Sequence, residues 1–259
     1  MTSLSPSPRI LITNDDGIHA PGLALLERIA RELSDDVWVV APDNERSGAG
    51  HSVSITNPIR MRQLEEKRYQ ISGTPTDCVL MALWHFMGGE FPSIILSGIN
   101  NGANLGEDVT YSGTIAAAME GTLLGIRSIS LSQLRPVGGI ADYSPAEAYA
   151  PDLIRQLIAT DDWPEGSLIN INFPRCAVDE VVGVRVTTQG QRPPGSFTIE
   201  PRTDARNQPY FWVKISYPDG DTITDTDLDA VAANAVSVTP IKMDFTDHAW
   251  RGRLGQALR

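Results

Sequence analysis

Short apolar segments that alternate with amphipathic ones restrict the first half of this 259-residue chain to few folds. Apolar runs of three or four residues predict buried strands at Ile10–Thr13, Val37–Val40, Ile94–Leu96 and Ile129–Leu131. Helical spacing predicts helices at Pro21–Ser34, from Pro75 onward, and at Ser112–Leu124. Strands that are apolar throughout and separated by helices are typical of a parallel sheet covered on both faces. We therefore predict an α/β fold.

In the second half of the chain the predicted strands and helices alternate less regularly, and no linker divides it from the first half. A hairpin-like stretch is predicted at 52–72, and a capping box at Thr74 with Asp77 starts the helix at Pro75. Further predicted elements are a helix at 145–159, strands at Leu168–Asn172, Tyr210–Tyr217 and Val236–Met243, and a terminal helix at Asp247–Arg259. Gln189–Gln208, rich in Pro, Gly and Arg, is predicted to be a long excursion. One domain over residues 1–259 is expected, with residues 1–132 as its core.

Composition excludes several classes of protein. The net charge of -11 disfavours binding to a nucleic-acid polymer, which requires a basic surface. No stretch approaches the roughly 18 consecutive apolar residues of a membrane span, and Met1–Pro8 is a polar tail without a secretory pattern. The two cysteines, Cys78 and Cys176, have no paired spacing. A cytoplasmic protein with no membrane partner is therefore expected.

Two adjacent acids, Asp15 and Asp16, come one residue after the first predicted strand. Carboxylates at this range repel each other, and a divalent cation between them removes that repulsion. Added Ser and Asn oxygens would complete an all-oxygen site suited to Mg²⁺ or Mn²⁺. The alternative is that Asp15-Asp16-Gly17 is an ordinary turn with a capping acid.

A loop rich in Gly and Asn lies between the third strand and the helix at Ser112. It holds three Asn and three Gly between Gly98 and Gly106. Ser112 and Thr114 offer hydroxyl groups, and the N–H groups of a first helical turn can hold phosphate. The alternative is that Ser112 is only an N-cap. The Gly-rich signatures of dinucleotide enzymes and P-loop NTPases are absent from the sequence.

Together these loops resemble the SurE family of survival-protein nucleotidases. The resemblance is carried by Ile12–Gly22, Val40–Asp43 with Arg46–Gly48, Gly73–Cys78, Ser97–Asn100, Asn104–Gly106 and Tyr111–Glu120, and more weakly by Asn170–Pro174. These motifs cover the first half densely and are specific as a set.

The resemblance implies a Rossmann-like, mostly parallel sheet with a C-terminal extension, about residues 189–259, exchanged between subunits of a homodimer or homotetramer. It implies 5′- and 3′-nucleotidase activity on nucleoside monophosphates, with short-chain polyphosphate as a further substrate. One divalent metal ion per subunit, Mg²⁺ or Mn²⁺, would be held at Asp15, Asp16, Ser47 and Asn100. Asn104, Ser112, Gly113 and Thr114 would contact phosphate. No role follows for Asn101 or His51.

The sequence also bears on the reaction. Enzymes that attack phosphate with the first Asp of an Asp-x-Asp-Gly motif would need an Asp at position 14, which is Asn14 here. Attack by a metal-activated water, with Asp15 or Asp16 orienting it, is therefore the hypothesis we favour. The general acid stays open among His19, His51, His248 and Asp108. Two other functions also stay open, a nucleotide-binding regulatory module without turnover and a polyphosphatase.

Overall fold

The computed structural model describes residues 8–136, 138–192, 197–215 and 223–258. The strands are β1 (Ile10–Thr13), β2 (Val37–Pro42), β3 (Met61–Glu65), β4 (Arg68–Ile71), β5 (Ile94–Asn101), β6 (Arg127–Gln133), β7 (Ser167–Phe173), β8 (Val184–Val186), β9 (Phe197–Thr203), β10 (Pro209–Ile215) and β11 (Val236–Lys242). The helices are α1 (Pro21–Leu33), α2 (Pro75–Met81), α3 (Gly113–Leu123), α4 (Ser144–Ile158), α5 (Asp227–Ala232) and α6 (His248–Ala257). A π-helical turn at Ala82–Phe86 and 3₁₀ turns at Gly106–Thr110 and Val178–Glu180 complete the described elements.

One sheet forms the centre of the molecule, in the order β3-β4-β2-β1-β5-β6-β7-β11-β8. The pairs from β4 to β7 are all parallel, whereas β3 pairs antiparallel with β4 and β11 antiparallel with β7. All four residues of β1 are buried, as a central parallel strand with helices on both faces requires. The predicted, mostly parallel sheet flanked by helices is confirmed.

Helices α1 and α3 cover opposite faces of this sheet. Helix α1 buries Leu23, Leu26, Ile29 and Ala30 in the cluster that contains Ile10 and Ile12 of β1. On the other face, Ala117 of α3 packs in a cluster with Leu11 and Ile95. Each helix therefore begins near the same edge of the sheet, where the parallel strands end.

The predicted start of α2 is confirmed in detail. The hydroxyl of Thr74 accepts from the N–H of Asp77 (3.1 Å), and the Asp77 carboxylate accepts from the N–H of Thr74 (2.8 Å). Asp77 also accepts from the N–H of Ser54 (3.0 Å) and is fully buried. The Gly73–Cys78 motif thus builds a helix start and holds the neighbouring segment against it.

Strand β5 runs five residues beyond its predicted end and includes the start of the predicted Gly/Asn loop. Its pairing with β6 is interrupted between Ser97 and Asn100, after which Asn100 pairs with Ser132 and Asn101 with Gln133. Gly98 permits this irregularity, since it has φ +141° and a Cβ there would lie 2.3 Å from the Leu131 carbonyl oxygen. The spacing of apolar residues in the sequence does not predict this interruption of the strand.

Part of the predicted C-terminal extension belongs to the main sheet, because β11 lies between β7 and β8. The antiparallel pair β9–β10 forms a separate two-stranded ribbon within the predicted excursion, and its side chains are almost all exposed. Helix α6 buries none of its residues. The predictions for Met1 to Ser7, Tyr217 and Arg259 lie outside the described residues, as does part of the excursion.

No helix in the described ranges is both long and apolar enough to cross a membrane.

Candidate active site

The carboxyl ends of β1, β2 and β5 meet the N-terminus of α3, and most of the predicted site residues lie there. Asp15 and Asp16 follow β1, Ser47 lies in the loop after β2, and Asn100 lies near the end of β5. The backbone N–H of Arg46 donates to the Asp15 carbonyl oxygen (2.8 Å), so the loop after β2 is held beside the acids. The structure therefore gathers residues from three strand ends, as expected where ligands bind in open α/β sheets.

Asp15 lies against the first turn of α3. Its side chain is buried, and the hydroxyl of Thr114 donates a hydrogen bond to Oδ1. A Cβ on Gly113 would lie 2.8 Å from the Asp15 Cβ, so only glycine allows this approach. Burial raises the pKa of Asp15, while hydrogen bonds from Thr114 act in the opposite direction. The carboxylate thus occupies a dry position at the positive end of a helix.

Asp16 is less buried than Asp15 and is held by the backbone. Its Oδ2 accepts a hydrogen bond from the N–H of Asn101 (2.9 Å). Burial and the neighbouring charge of Asp15 raise the pKa of Asp16 from 3.8 to about 6. Glu45 contributes to this raised pKa, while the hydrogen bond from Asn101 and the charge of Arg135 oppose it. Keeping both carboxylates ionised is therefore electrostatically unfavourable, and a bound cation would remove that cost.

Ser47 and Asn100 bring oxygen atoms to the same edge of the sheet. The Ser47 hydroxyl donates to Glu45 (2.6 Å), so its lone pairs stay available for a cation. The Asn100 amide nitrogen donates to the Gly102 carbonyl oxygen (2.8 Å), which leaves Oδ1 as the end that can bind a metal. Arg46, next to this set in the sequence, pairs with Asp43 (3.0 Å) rather than with either acid.

The residues present fit a hard divalent cation. Two carboxylates, a hydroxyl and an amide form an all-oxygen donor set, which suits Mg²⁺ or Mn²⁺, and such ions keep several water ligands. Within the described ranges, no three or more His, Cys, Asp or Glu side chains are grouped to hold a metal ion. The candidate site has only two such side chains, Asp15 and Asp16, and its other proposed ligands are the hydroxyl of Ser47 and the amide of Asn100.

The predicted phosphate-contacting residues divide into two groups. Ser112 is the N-cap of α3, with its Oγ accepting from the Ile115 N–H (3.1 Å), so the capping role considered for it is present. Gly113 and Thr114 begin the helix directly beside Asp15. Asn104 instead turns its amide nitrogen inward to Ser132 Oγ (2.8 Å). An anion at this helix start would lie next to the candidate cation site.

A buried amide network fixes the backbone at Asn104. The Asn172 side chain accepts from the Asn104 N–H (2.8 Å) and donates to its carbonyl oxygen (3.1 Å). Asn170 donates to the same oxygen (2.8 Å), and both Asn170 and Asn172 are fully buried. The Asn170–Pro174 motif thus positions the loop that leads to α3.

Residues far along the chain fix the turn that follows. The buried Asp227 carboxylate accepts from the N–H groups of Gly106 (2.9 Å) and Gly190 (2.8 Å). Gln189 donates to the Gly106 carbonyl oxygen, and Arg192 donates to Asp108 (both 2.8 Å). Asp108, a candidate general acid, is therefore engaged in structural contacts.

The histidine candidates occupy different places. His51 Nε2 lies 2.9 Å from Glu120, a residue of α3, and His248 Nε2 lies 2.7 Å from Asp244 near the start of α6. His19 is exposed in the turn before α1. Of the three, His51 alone combines a carboxylate partner on α3 with a place in the segment that contains Ser47.

Two side chains near Asp16 were not identified from the sequence. The Tyr143 hydroxyl is buried, has no hydrogen-bond partner within the described part of the chain, and lies in the field of Asp16. That burial raises the pKa of Tyr143 well above its ordinary value, so the phenol stays protonated. Arg135 contributes a positive charge to the same surroundings. Neither belongs to a motif, and only the folded chain brings them to the acids.

The fold and site define a Rossmann-like α/β protein with paired carboxylates beside a helix N-terminus. The family model described as survival protein SurE matches residues 10–195. The chain belongs to the SurE family.

Individual relatives agree. The 5′-nucleotidase SurE of Brucella anthropi is 51% identical over 253 residues, which cover 96% of this chain and 97% of that protein. The 5′-nucleotidase SurE of Brucella suis is 51% identical over 96% of this chain and 98% of its own length. The crystal structure of the SurE protein from Aquifex aeolicus superposes with a TM-score of 0.83 at 34% identity, covering 97% of this chain and all of that one.

Proposed function

We propose that this protein is a 5′-nucleotidase that hydrolyses nucleoside monophosphates with the help of one divalent metal ion, Mg²⁺ or Mn²⁺. The observation that carries the proposal is the pair formed by the buried Asp15 and the half-buried Asp16 beside the start of α3, in a chain about half identical to proteins named 5′-nucleotidase SurE. The paired acids offer a cation site, and the helix start offers an anion site next to it.

Each residue has a defined part in this proposal. Asp15, Asp16, Ser47 and Asn100 would hold the cation. A cation bound there supplies charge neutralisation and a water of lowered pKa. The Thr114 hydroxyl orients Asp15, and the Asn101 N–H orients Asp16. The N–H groups at the start of α3 would hold phosphate oxygens, with preorganised donors that need no rearrangement during the reaction.

The structure supports attack by water over a covalent route. Asn14 is fully buried, and its amide exchanges two hydrogen bonds with the backbone of Gly17 (3.0 and 3.2 Å). An amide engaged in this way is a turn residue and lacks a nucleophilic oxygen. Rapid-quench experiments that trapped a phosphorylated Asp15 would refute the water mechanism.

Phosphate release from a panel of 5′- and 3′-nucleotides tests the proposal. We expect release from 5′-AMP or 5′-GMP with Mn²⁺ or Mg²⁺ and none with EDTA. The 3′-nucleotides and short polyphosphates in the same panel decide the two further activities, through their kcat/KM relative to 5′-AMP. Tight nucleotide binding without release under any condition would favour a regulatory module instead.

The exposed ribbon and terminal helix support a homodimer or homotetramer as the assembly. Phe211, Trp212 and Val213 of β10 are each about 60% exposed, and Trp250 of α6 is 51% exposed. Apolar surface of this kind is stabilised when a second copy of the chain covers it. Sedimentation equilibrium at micromolar concentration is expected to give the mass of a dimer or tetramer, and a 28.1 kDa monomer would contradict the proposal.

A further inference from the structure

An exposed pair of aromatic rings lies beside the proposed phosphate site. Tyr111 directly precedes Ser112, the N-cap of α3, and its side chain is 49% exposed. Phe197, the first residue of β9, is 47% exposed. The two rings meet edge to face, with centroids 5.4 Å apart and planes at 69°. The pair therefore leaves much of its apolar surface uncovered next to a helix start.

The backbone around Tyr111 is firmly held, although its ring is exposed. The Tyr111 N–H donates to the Asp108 carbonyl oxygen (3.0 Å), and the Gly50 N–H donates to the Tyr111 carbonyl oxygen (3.0 Å). Asp108 is in turn held by Arg192 (2.8 Å), which precedes Phe197 in the chain. The position of the Tyr111 backbone relative to Ser112 is thus set by the fold, and the exposed ring contacts Phe197.

We propose that Tyr111 and Phe197 form the nucleobase-binding wall of the substrate site, an inference that rests on the proposed nucleotidase function. A nucleoside monophosphate has a charged end and, beyond the ribose, a flat base. The helix start suits the charged phosphate, and the exposed aromatic pair, whose Tyr111 directly precedes the N-cap of that helix, suits the flat base. Because every base has a π face, stacking of this kind accepts all four bases and favours the larger purines.

A base-binding role and a purely structural role predict different effects on substrate specificity when the pair is removed. If the pair only fastens the β9–β10 ribbon to the core, its loss affects every phosphate ester equally. If it stacks on the base, its loss weakens binding of nucleotides alone. Ribose 5-phosphate, which has the sugar and phosphate of AMP but no base, separates the two roles.

The experiment compares kcat/KM for 5′-AMP and ribose 5-phosphate, with saturating Mn²⁺, in wild type, Tyr111→Ala, Phe197→Ala and Tyr111→Phe. Each Ala variant is expected to lose about ten-fold on AMP, mainly through KM, and to stay within about two-fold on ribose 5-phosphate. Tyr111→Phe keeps the ring and should keep the selectivity. Trp84→Ala is the matched control: Trp84 is also 59% exposed and meets Phe91 edge to face (centroids 5.1 Å apart) outside the proposed site, so its loss should change the kinetics on neither substrate.

Three results would overturn the inference. Equal losses on both substrates would assign the pair a structural role, and unchanged AMP kinetics in both Ala variants would remove it from the site. A wild type that cleaves ribose 5-phosphate as well as AMP would reject base recognition while leaving the phosphatase intact. Failure of the proposed function looks different, because wild type would then release phosphate from neither compound.

Discussion

Replacing Asp16 with Asn should stabilise the cation-free protein at about pH 8 while lowering its metal-dependent phosphatase activity more than about a hundred-fold. Burial and the charge of Asp15 raise the pKa of Asp16 from 3.8 to about 6. A difference of this size between the folded and unfolded states costs about 3 kcal/mol of folding free energy once the carboxyl is ionised. Asn has no charge to desolvate, so the variant avoids most of that cost but loses a metal ligand.

The sign of the pH dependence follows from the raised pKa. Below about pH 4 Asp16 is protonated in both states and costs nothing, and above about pH 6 it is ionised in both and the full cost is present. The free energy of unfolding of wild type should therefore fall, relative to Asp16→Asn, as the pH rises from about 4 to about 6. Urea unfolding in EDTA at several pH values measures this difference.

Two controls make the result specific. Asp161→Asn removes an exposed carboxylate outside the site and should leave both unfolding and activity unchanged. Added Mn²⁺ should raise the unfolding midpoint of wild type but hardly that of Asp16→Asn, because a ligand stabilises only the state that binds it. A variant less stable than wild type in EDTA would mean that the fold already compensates the Asp16 charge without a cation.

The residues that the sequence identified share a local signal. Asp15 and Asp16 stand out because two adjacent acids lie one residue beyond a buried strand, and Thr74, Pro75 and Asp77 form a helix start within four positions. Such features can be recognised in a single sequence because all the residues that form them lie within one helical turn or at one strand end.

The structural roles that the sequence did not identify depend on contacts between distant segments. Asp227 binds the backbone of Gly106 from 121 positions away, and Asn172 binds Asn104 from 68 positions away. Asn101 supports Asp16 through its backbone N–H, which any residue but proline could provide. Strand β11, which lies between β7 and β8, antiparallel to the first and parallel to the second, likewise has no local pattern that predicts its neighbours.

A second large effect is expected at Gly113, where the chain admits no side chain. A Cβ there would lie 2.8 Å from the Asp15 Cβ, 3.1 Å from its Oδ2 and 3.0 Å from Pro75 Cγ. Pro75 begins the rigid start of α2, so the Asp15 side chain is the neighbour that must move. The hydrogen bond from Thr114 to Asp15, which comes from the same first turn, would be disturbed together with it.

Gly113→Ala should therefore lower kcat/KM for 5′-AMP by up to about a hundred-fold, because a displacement of roughly 1 Å at a catalytic group can cost that much. The free energy of unfolding should change far less, since replacing Gly by Ala lowers the conformational entropy of the unfolded chain, which is worth about 0.4–1 kcal/mol and offsets part of the strain. Steady-state kinetics beside urea unfolding measures both quantities. Gly255→Ala in α6, where an added Cβ would meet nothing within 4 Å, is the matched helical control and should retain wild-type kinetics. Full activity in Gly113→Ala would show that the close contact between Asp15 and α3 is not needed for catalysis.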